Sequence, residues 1–306
     1  MSLSEEIRID PERVCGEIEE FIRQKMKDLE RDGLLIGLSG GLDSCVVTTL
    51  ATRAVGKEKV HAIYMPDKDS DPVHRRDVSI IAQLLGIRFQ CQPITKQLRA
   101  FSVYRLVPLS FLPRRLKEKL VRKGYRYYEK RAGESPFATS LKGLKGKKFG
   151  TFLAKGNAYY RIKHRLRMLT LYLTAERNNL LVVGCANRTE HLIGFFVKFG
   201  CDHIADIMPI LNLYKSQVFM VAEYLKIPRT VIRKGPFPDV IPGISDEEAI
   251  GLPYRKLDLI LLGLEKRYPL SQIITEAEAT TEEIEKVKEL LKKSEHMREI
   301  YVPGAP

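Results

Sequence analysis

Cysteine is sparse and unpaired in this 306-residue chain, and that removes one class of site at once. Cys15, Cys45, Cys91, Cys185 and Cys201 form no CxxC pair and have no His partners at zinc spacing, which excludes a metal finger. An odd number of scattered thiols suits a reducing compartment. Long apolar runs are missing too, since none approaches the ~20 residues needed to cross a bilayer. The N-terminus, carrying Glu5 and Glu6, lacks a signal-peptide pattern, so a soluble cytoplasmic protein without membrane contact is expected. No internal repeat and no convincing linker interrupts the sequence, and 1–306 is expected to form a single domain with a large core. Acidic charge is short in one place only. Against 51 Lys and Arg the chain has 38 Asp and Glu, a net +13, yet residues 101–148 alone hold fourteen basic and three acidic side chains. The remainder is nearly neutral, so the basic character belongs to one segment rather than to the fold.

What is present begins with Ser39-Gly40-Gly41-Leu42-Asp43-Ser44, directly after the apolar Leu34-Leu35-Ile36-Gly37-Leu38 and before a helix-like stretch over 45–54. Strand, glycine turn and helix start in that order aim backbone N–H groups and the positive end of a helix at one spot, where phosphate would sit. Gly40 and Gly41 let the chain turn sharply and a polyanion come close, while Ser39 and Ser44 add hydroxyl donors. A carboxylate at Asp43 would repel phosphate unless a divalent cation lay between them, so the loop suits a nucleotide with Mg2+. A tight turn with a helix N-cap uses the same residue types, and the loop alone leaves both open. It is not a Walker loop, because that loop needs a Lys before its Ser or Thr and none is present here.

Along the chain, Asp10-Pro11-Glu12 starts a helix with Val14, Ile18, Phe21 and Ile22 at helical spacing. Gly56 closes the helix after the glycine loop, and 60–65 predicts a second buried strand. Asp71-Pro72 starts a helix that Gly86 stops, ahead of a third strand over 87–91. This β-α-β-α-β run predicts an α/β fold, doubly wound, with a mainly parallel sheet, helices on both faces and ligands at the strand C-terminal ends. Over about 97–150 the rhythm breaks into a basic insertion, helical in part. Tyr125, Tyr127 and Tyr128 interleave there with Arg122, Lys123 and Arg126, a pattern open to nucleic acid but better matched by a solvated basic element over the nucleotide site. A helix over 159–176, a fourth strand over 180–184, a short apolar run over 207–210, a helix over 216–225, a capping box at Ser245 and a helix over 281–293 complete the pass.

The SGGxDS loop resembles the pyrophosphatase loop, or PP-loop, of the N-type ATP pyrophosphatases, which cleave ATP between the α and β phosphates to make an adenylate. Later blocks are similar, in order and spacing, to ammonia-dependent NAD synthetase. They are 162–168, Gly184-Cys185-Ala186-Asn187-Arg188-Thr189-Glu190, 194–200, Ala205-Asp206-Ile207-Met208-Pro209-Ile210, Leu213-Tyr214-Lys215 and 242–248. The resemblance covers about 6–303 except the insertion, and it implies the adenine nucleotide alpha hydrolase-like fold.

It also implies roles. Gly37, Leu38, Ser39, Gly40, Gly41, Leu42, Asp43 and Ser44 would bind the ATP phosphates together with Cys185 and Lys215. Asp43 and Glu190 would hold Mg2+, with Lys215 the third catalytic side chain. Arg165, Lys198 and Asp206 would recognise deamido-NAD. The implied reaction is amide ligation in two steps, adenylation of the nicotinate carboxylate and then attack by ammonia, in a homodimer. With no amidase module in the sequence, ammonia, free or from a partner, is the expected nitrogen source.

Three places depart from the family pattern. Cys185 and Phe237 each stand where a hydroxyl residue usually contacts ATP, and two missing neutral hydrogen bonds would weaken binding roughly ten- to a hundredfold. Between Lys198 and Asp206, Gly200-Cys201-Asp202-His203-Ile204-Ala205-Asp206 replaces the usual Gly-Asp-Gly-Gly-Ala-Asp. These departures leave open an adenylating enzyme acting on tRNA or another carboxylate, and a non-catalytic nucleotide-binding relative.

Overall fold

The computed structural model describes residues 2–107, 112–147, 149–233 and 243–302. Phe237 and its neighbours over 234–242, together with Pro108 and Lys148, lie outside the described residues. Four strands form one parallel sheet: β1 Gly33–Gly37, β2 Val60–Tyr64, β3 Phe89–Cys91 and β4 Leu180–Val183, in the order β3-β2-β1-β4. β1 is flanked by β2, with Leu34 opposite Val60, and by β4, with Gly33 opposite Leu180. A parallel bridge from Val183 to Ile207 places the short 207–210 run beyond β4.

Period-two alternation sorts the strand side chains onto two buried faces. Leu34, Ile36, Val60, Ala62, Leu181 and Val183 pack on one side, against the Pro11–Asp28, Leu42–Val55, Pro72–Leu85 and Lys215–Tyr224 helices. Leu35, Ile63, Leu180 and Val182 pack on the other, against Tyr159, Leu166, Leu171 and Ala175 of the Gly150–Arg177 helix. Both faces of β1 and β4 are therefore dry and those strands read as apolar runs, whereas His61 on β2 and Gln90 and Cys91 on β3 are exposed. A second apolar cluster is built from helices and the turns between them, with no strand residue among its described members. It joins Leu3, Ile193, Leu257, Leu261, Ile284 and Val287.

Caps set the helix starts as expected: the Asp10 side chain accepts from the Glu12 and Arg13 N–H groups, and Ser245 forms a capping box with Glu248. Two expectations need correction, and one open alternative falls. Phe21 is 39% exposed, since the buried stripe runs through Val14, Ile18 and Ile22, and Cys15 and Glu19 fill its flank. The helix expected from 159 begins at Gly150, inside the expected insertion. The tyrosine ladder does not form a stacking platform, because Tyr125 and Tyr128 point inward, donating to the Ala249 carbonyl at 3.1 Å and to Thr139 Oγ1 at 3.0 Å.

Besides Tyr125, the basic insertion is pinned to the rest of the fold at several further points. In its Arg114–Ala132 helix, Lys117 bonds Asp69 in the loop after β2, and Arg122 donates to the Gly243 carbonyl at 2.7 Å. It spans from the end of the sheet to the residues before the Asp246–Ile250 helix.

Candidate active site

The chain runs outward from β1 through β2 to β3 and then crosses back to β4 on the other side of β1, so a crevice opens between the carboxyl ends of β1 and β4. The glycine loop forms one lip. Gly40 has φ +80°, and a Cβ there would meet the His74 carbonyl oxygen at 2.7 Å. Gly41 is the N-cap of the Leu42–Val55 helix and offers no side-chain cap, so the leading N–H groups of that helix keep the partial positive charge of an anion site. The two serines brace the turn. Gly41 N–H donates to Ser39 Oγ at 3.2 Å, Ser39 N–H to Ser44 Oγ at 3.2 Å, and the Ser44 hydroxyl to the Gly41 carbonyl at 2.9 Å.

Gly37, Leu38, Ser39, Gly40, Gly41, Leu42, Asp43 and Ser44 all line one cavity, and Cys185, Glu190 and Lys215 line it with them. The lysine that the loop lacks arrives from 172 positions away. Lys215 Nζ lies 2.5 Å from Asp43 Oδ2 and 3.1 Å from Glu190 Oε1, so both carboxylates converge on one ammonium. Burial acts to lower the Lys215 pKa, but Asp43, Glu190 and Asp246 together drive it upward, and the ammonium stays charged.

Sequence reasoning missed three residues that set this geometry. Asn187, fully buried, caps the Arg188–Ile193 helix by accepting from the Glu190 N–H at 3.0 Å, and its Nδ2 donates to Asp43 Oδ1 at 3.1 Å. Its signal was the Asn three places before Glu. Asp258, also fully buried, accepts from Thr189 Oγ1 at 2.5 Å and from the Ser216 N–H at 2.7 Å, fixing the start of the Lys215–Tyr224 helix. Asp246 adds a third carboxyl to the cavity wall. Tyr254 OH donates to its Oδ2 at 3.1 Å, while Oδ1 is buried with no hydrogen-bond partner.

Burial, reinforced by Asp43 and opposed by Lys215, raises Glu190 to about 7, and burial with the neighbouring acids raises Asp246 to about 8. Three carboxyls thus share one ammonium. Hard carboxylate oxygens are the donors that Mg2+ takes. Cys185 fills the wall without a hydroxyl, and burial raises its thiol pKa well above the usual value.

Arg165, Lys198 and Asp206 do not line this cavity. They gather along the Gly150–Arg177 helix. Arg165 donates to the Lys198 carbonyl at 3.3 Å, and Asp206 accepts from Tyr172 OH at 3.1 Å and from the Val182 N–H at 2.8 Å. The Lys198 ammonium donates to the His296 and Glu299 carbonyls at 2.5 and 2.6 Å. A different cluster faces the cavity between the two groups. His164 Nδ1 lies 3.3 Å from Asp202 Oδ2 and 3.9 Å from Cys201 Sγ, all three residues lining the wall. Burial acts to lower the His164 pKa, but Asp202 outweighs it and lifts the imidazole to about 10.

The sequence model of NAD synthase matches residues 14–115 and 135–301. The stretch it passes over, 116–134, is nearly all of the insertion helix. The chain is 40% identical over 279 residues to the NH3-dependent NAD+ synthetase of Thermotoga neapolitana, covering 91% of each protein. It is 42% identical over 253 residues to that of Coprothermobacter proteolyticus, covering 81% of this chain and 83% of the relative. The fold is shared with the solved NH3-dependent NAD synthetase of Campylobacter jejuni, at a TM-score of 0.68 and 23% identity over 97% of this chain and all of the other. An anion cradle, two carboxylates on one lysine and a match over most of the sequence agree, and the chain belongs to the NAD synthase family.

Proposed function

We propose that this protein is a C–N bond-forming ligase that makes NAD from deamido-NAD, ammonia and ATP through an adenylated intermediate, releasing AMP and pyrophosphate. The observation that carries it is the convergence of Asp43 and Glu190 on Lys215 beside the uncapped helix start. The glycine-loop N–H groups and Lys215 would take the ATP phosphates, with Cys185 on the wall beside them. Asp43 and Glu190 would hold Mg2+, which would supply charge neutralisation on the departing pyrophosphate. Lys215 would bind phosphate as a point charge.

The nicotinate carboxylate attacks the α-phosphorus, pyrophosphate leaves, and ammonia then displaces AMP from the acyl carbon. No protein nucleophile is needed, so alignment and positive charge do the work. Arg165, Lys198 and Asp206, outside the phosphate cavity, form the deamido-NAD subsite along the Gly150–Arg177 helix. Leu169 and Leu173 sit one turn apart on the same helix at 58% and 59% exposure, which supports a homodimer meeting beside that subsite. Five free thiols, Cys91 exposed among them, support a cytoplasmic location for this one-domain chain.

Incubation with ATP, Mg2+, an ammonium salt and deamido-NAD is expected to yield AMP and NAD in equal amounts. ATP binding without AMP release, or AMP release that ignores deamido-NAD, would reject the reading.

A further inference from the structure

The cluster of His164, Cys201 and Asp202 is not used by the ligase mechanism. Its ligand atoms lie within 4.8 Å of one another, one each of nitrogen, sulfur and oxygen. A tetrahedral zinc site with Zn–N near 2.0 Å, Zn–O near 2.1 Å and Zn–S near 2.3 Å has N···O edges of about 3.4 Å and N···S edges of about 3.5 Å. The observed 3.3 Å from His164 Nδ1 to Asp202 Oδ2, and 3.9 Å to Cys201 Sγ, match those edges to within a few tenths of an ångström.

Two more observations point the same way. Asp202 Oδ1 is buried and has no hydrogen-bond partner, so the second oxygen of this carboxylate is left unsatisfied. Gly200 leaves no spare volume, since a Cβ there would lie 2.7 Å from that oxygen and 2.9 Å from the His164 Cβ. The Cys201 N–H donates to the His164 carbonyl at 3.2 Å, and the Val197 N–H donates to Asp202 Oδ2 at 3.0 Å, so the backbone orients two of the three ligands.

We propose that His164, Cys201 and Asp202 bind one transition-metal ion of the Zn2+ class, tying the loop at 197–206 to the Gly150–Arg177 helix on the wall of the cavity. The mixed nitrogen, sulfur and oxygen set separates this ion from Mg2+, which the all-oxygen pair Asp43 and Glu190 suits. Binding replaces the Cys201 thiol proton and the proton between His164 and Asp202, both of which pass to solvent. The fourth coordination position is left for water or a cavity ligand.

The test uses the full-length protein stripped with chelator, without nucleotide, so it fails or succeeds independently of the ligase reading. Titration with Co2+ is expected to give a thiolate-to-cobalt charge-transfer band that saturates at one ion per chain and is displaced by Zn2+. Cys201→Ser is expected to abolish the band, His164→Ala to weaken Co2+ binding at least about tenfold, and Cys185→Ala to leave the band in place. No band on the wild-type protein, or a band that survives Cys201→Ser, overturns the assignment.

Discussion

Two buried lysines in this molecule are each held between a pair of carboxylates at the carboxyl end of the sheet, and they differ in what their partners can reach. Lys215 joins Asp43 and Glu190, whose side chains are 18% and 17% exposed and line the cavity. Lys163 joins Asp67 at 2.8 Å and Asp69 at 2.7 Å, and those side chains are 2% and 5% exposed. Its surroundings are closed further by Lys117 and Tyr159, both bonded to Asp69, and by the Tyr159 ring 4.5 Å from its ammonium. The ion pairs are alike in chemistry. One opens onto the cavity, whereas the other locks the loop after β2 to the basic insertion. Residue type and burial of the lysine do not separate the two sites; access to the carboxylates does.

Breaking each lysine tests that contrast. Lys215→Met is expected to lower turnover at least a hundredfold, on the order of the loss of one transition-state contact, and millimolar Mg2+ should raise its Tm by pairing Asp43 and Glu190. Lys163→Met strands two enclosed carboxylates and should cost about 3–5 kcal/mol of stability, visible as a lower urea midpoint that Mg2+ does not restore. Equal rescue of both variants by Mg2+ would erase the distinction.

Acid sharpens it. Burial acts to raise the Asp69 pKa, but Lys163, Lys117 and Tyr159 hold it down to about 2, below its ordinary value of 3.8. A depressed carboxylate pKa stabilises the fold above the unfolded value, so this contribution is complete above about pH 4 and fades as pH falls through 2. It amounts to roughly 2 kcal/mol. Urea midpoints between pH 5 and 2 should show it in the wild type and less of it in Lys163→Met; identical slopes would contradict the account. The smallest effect is at the cavity wall. Cys185→Thr restores one neutral hydroxyl and should lower the KM for ATP by about two- to tenfold, and an unchanged KM would mean the nucleotide does not touch that position.

Much of the Lys215 side was legible in the sequence because its parts are local. The strand before Ser39, the glycine turn and the uncapped helix start sit within a dozen positions, and the blocks around Glu190 and Lys215 follow in order. Nothing in the spacing could bring Asp43 and Lys215 within 2.5 Å; that contact comes from the strand order, which folds β4 beside β1. The Lys163 side was not legible for the opposite reason. Asp67 and Asp69 lie in a short loop, Lys117 in the insertion and Lys163 on a later helix, and each alone resembles a surface charge. The helix start at Gly150 was missed because Gly150 and Gly156 dilute the apolar pattern, and burial of Leu153 by tertiary packing decides it. Tyr125 and Tyr128 show the same limit, since their spacing cannot say which way a basic helix faces.

The Asn187 side chain spans the crevice between β1 and β4 by itself, its oxygen committed to one lip and its nitrogen to the other. Its orientation cannot be reversed without setting oxygen against oxygen, so the amide acts as a gauge: the separation of Asp43 and Glu190 is measured by the length of one short side chain. A longer or charged residue at that position would reset the gap to which any ion between the two carboxylates must conform.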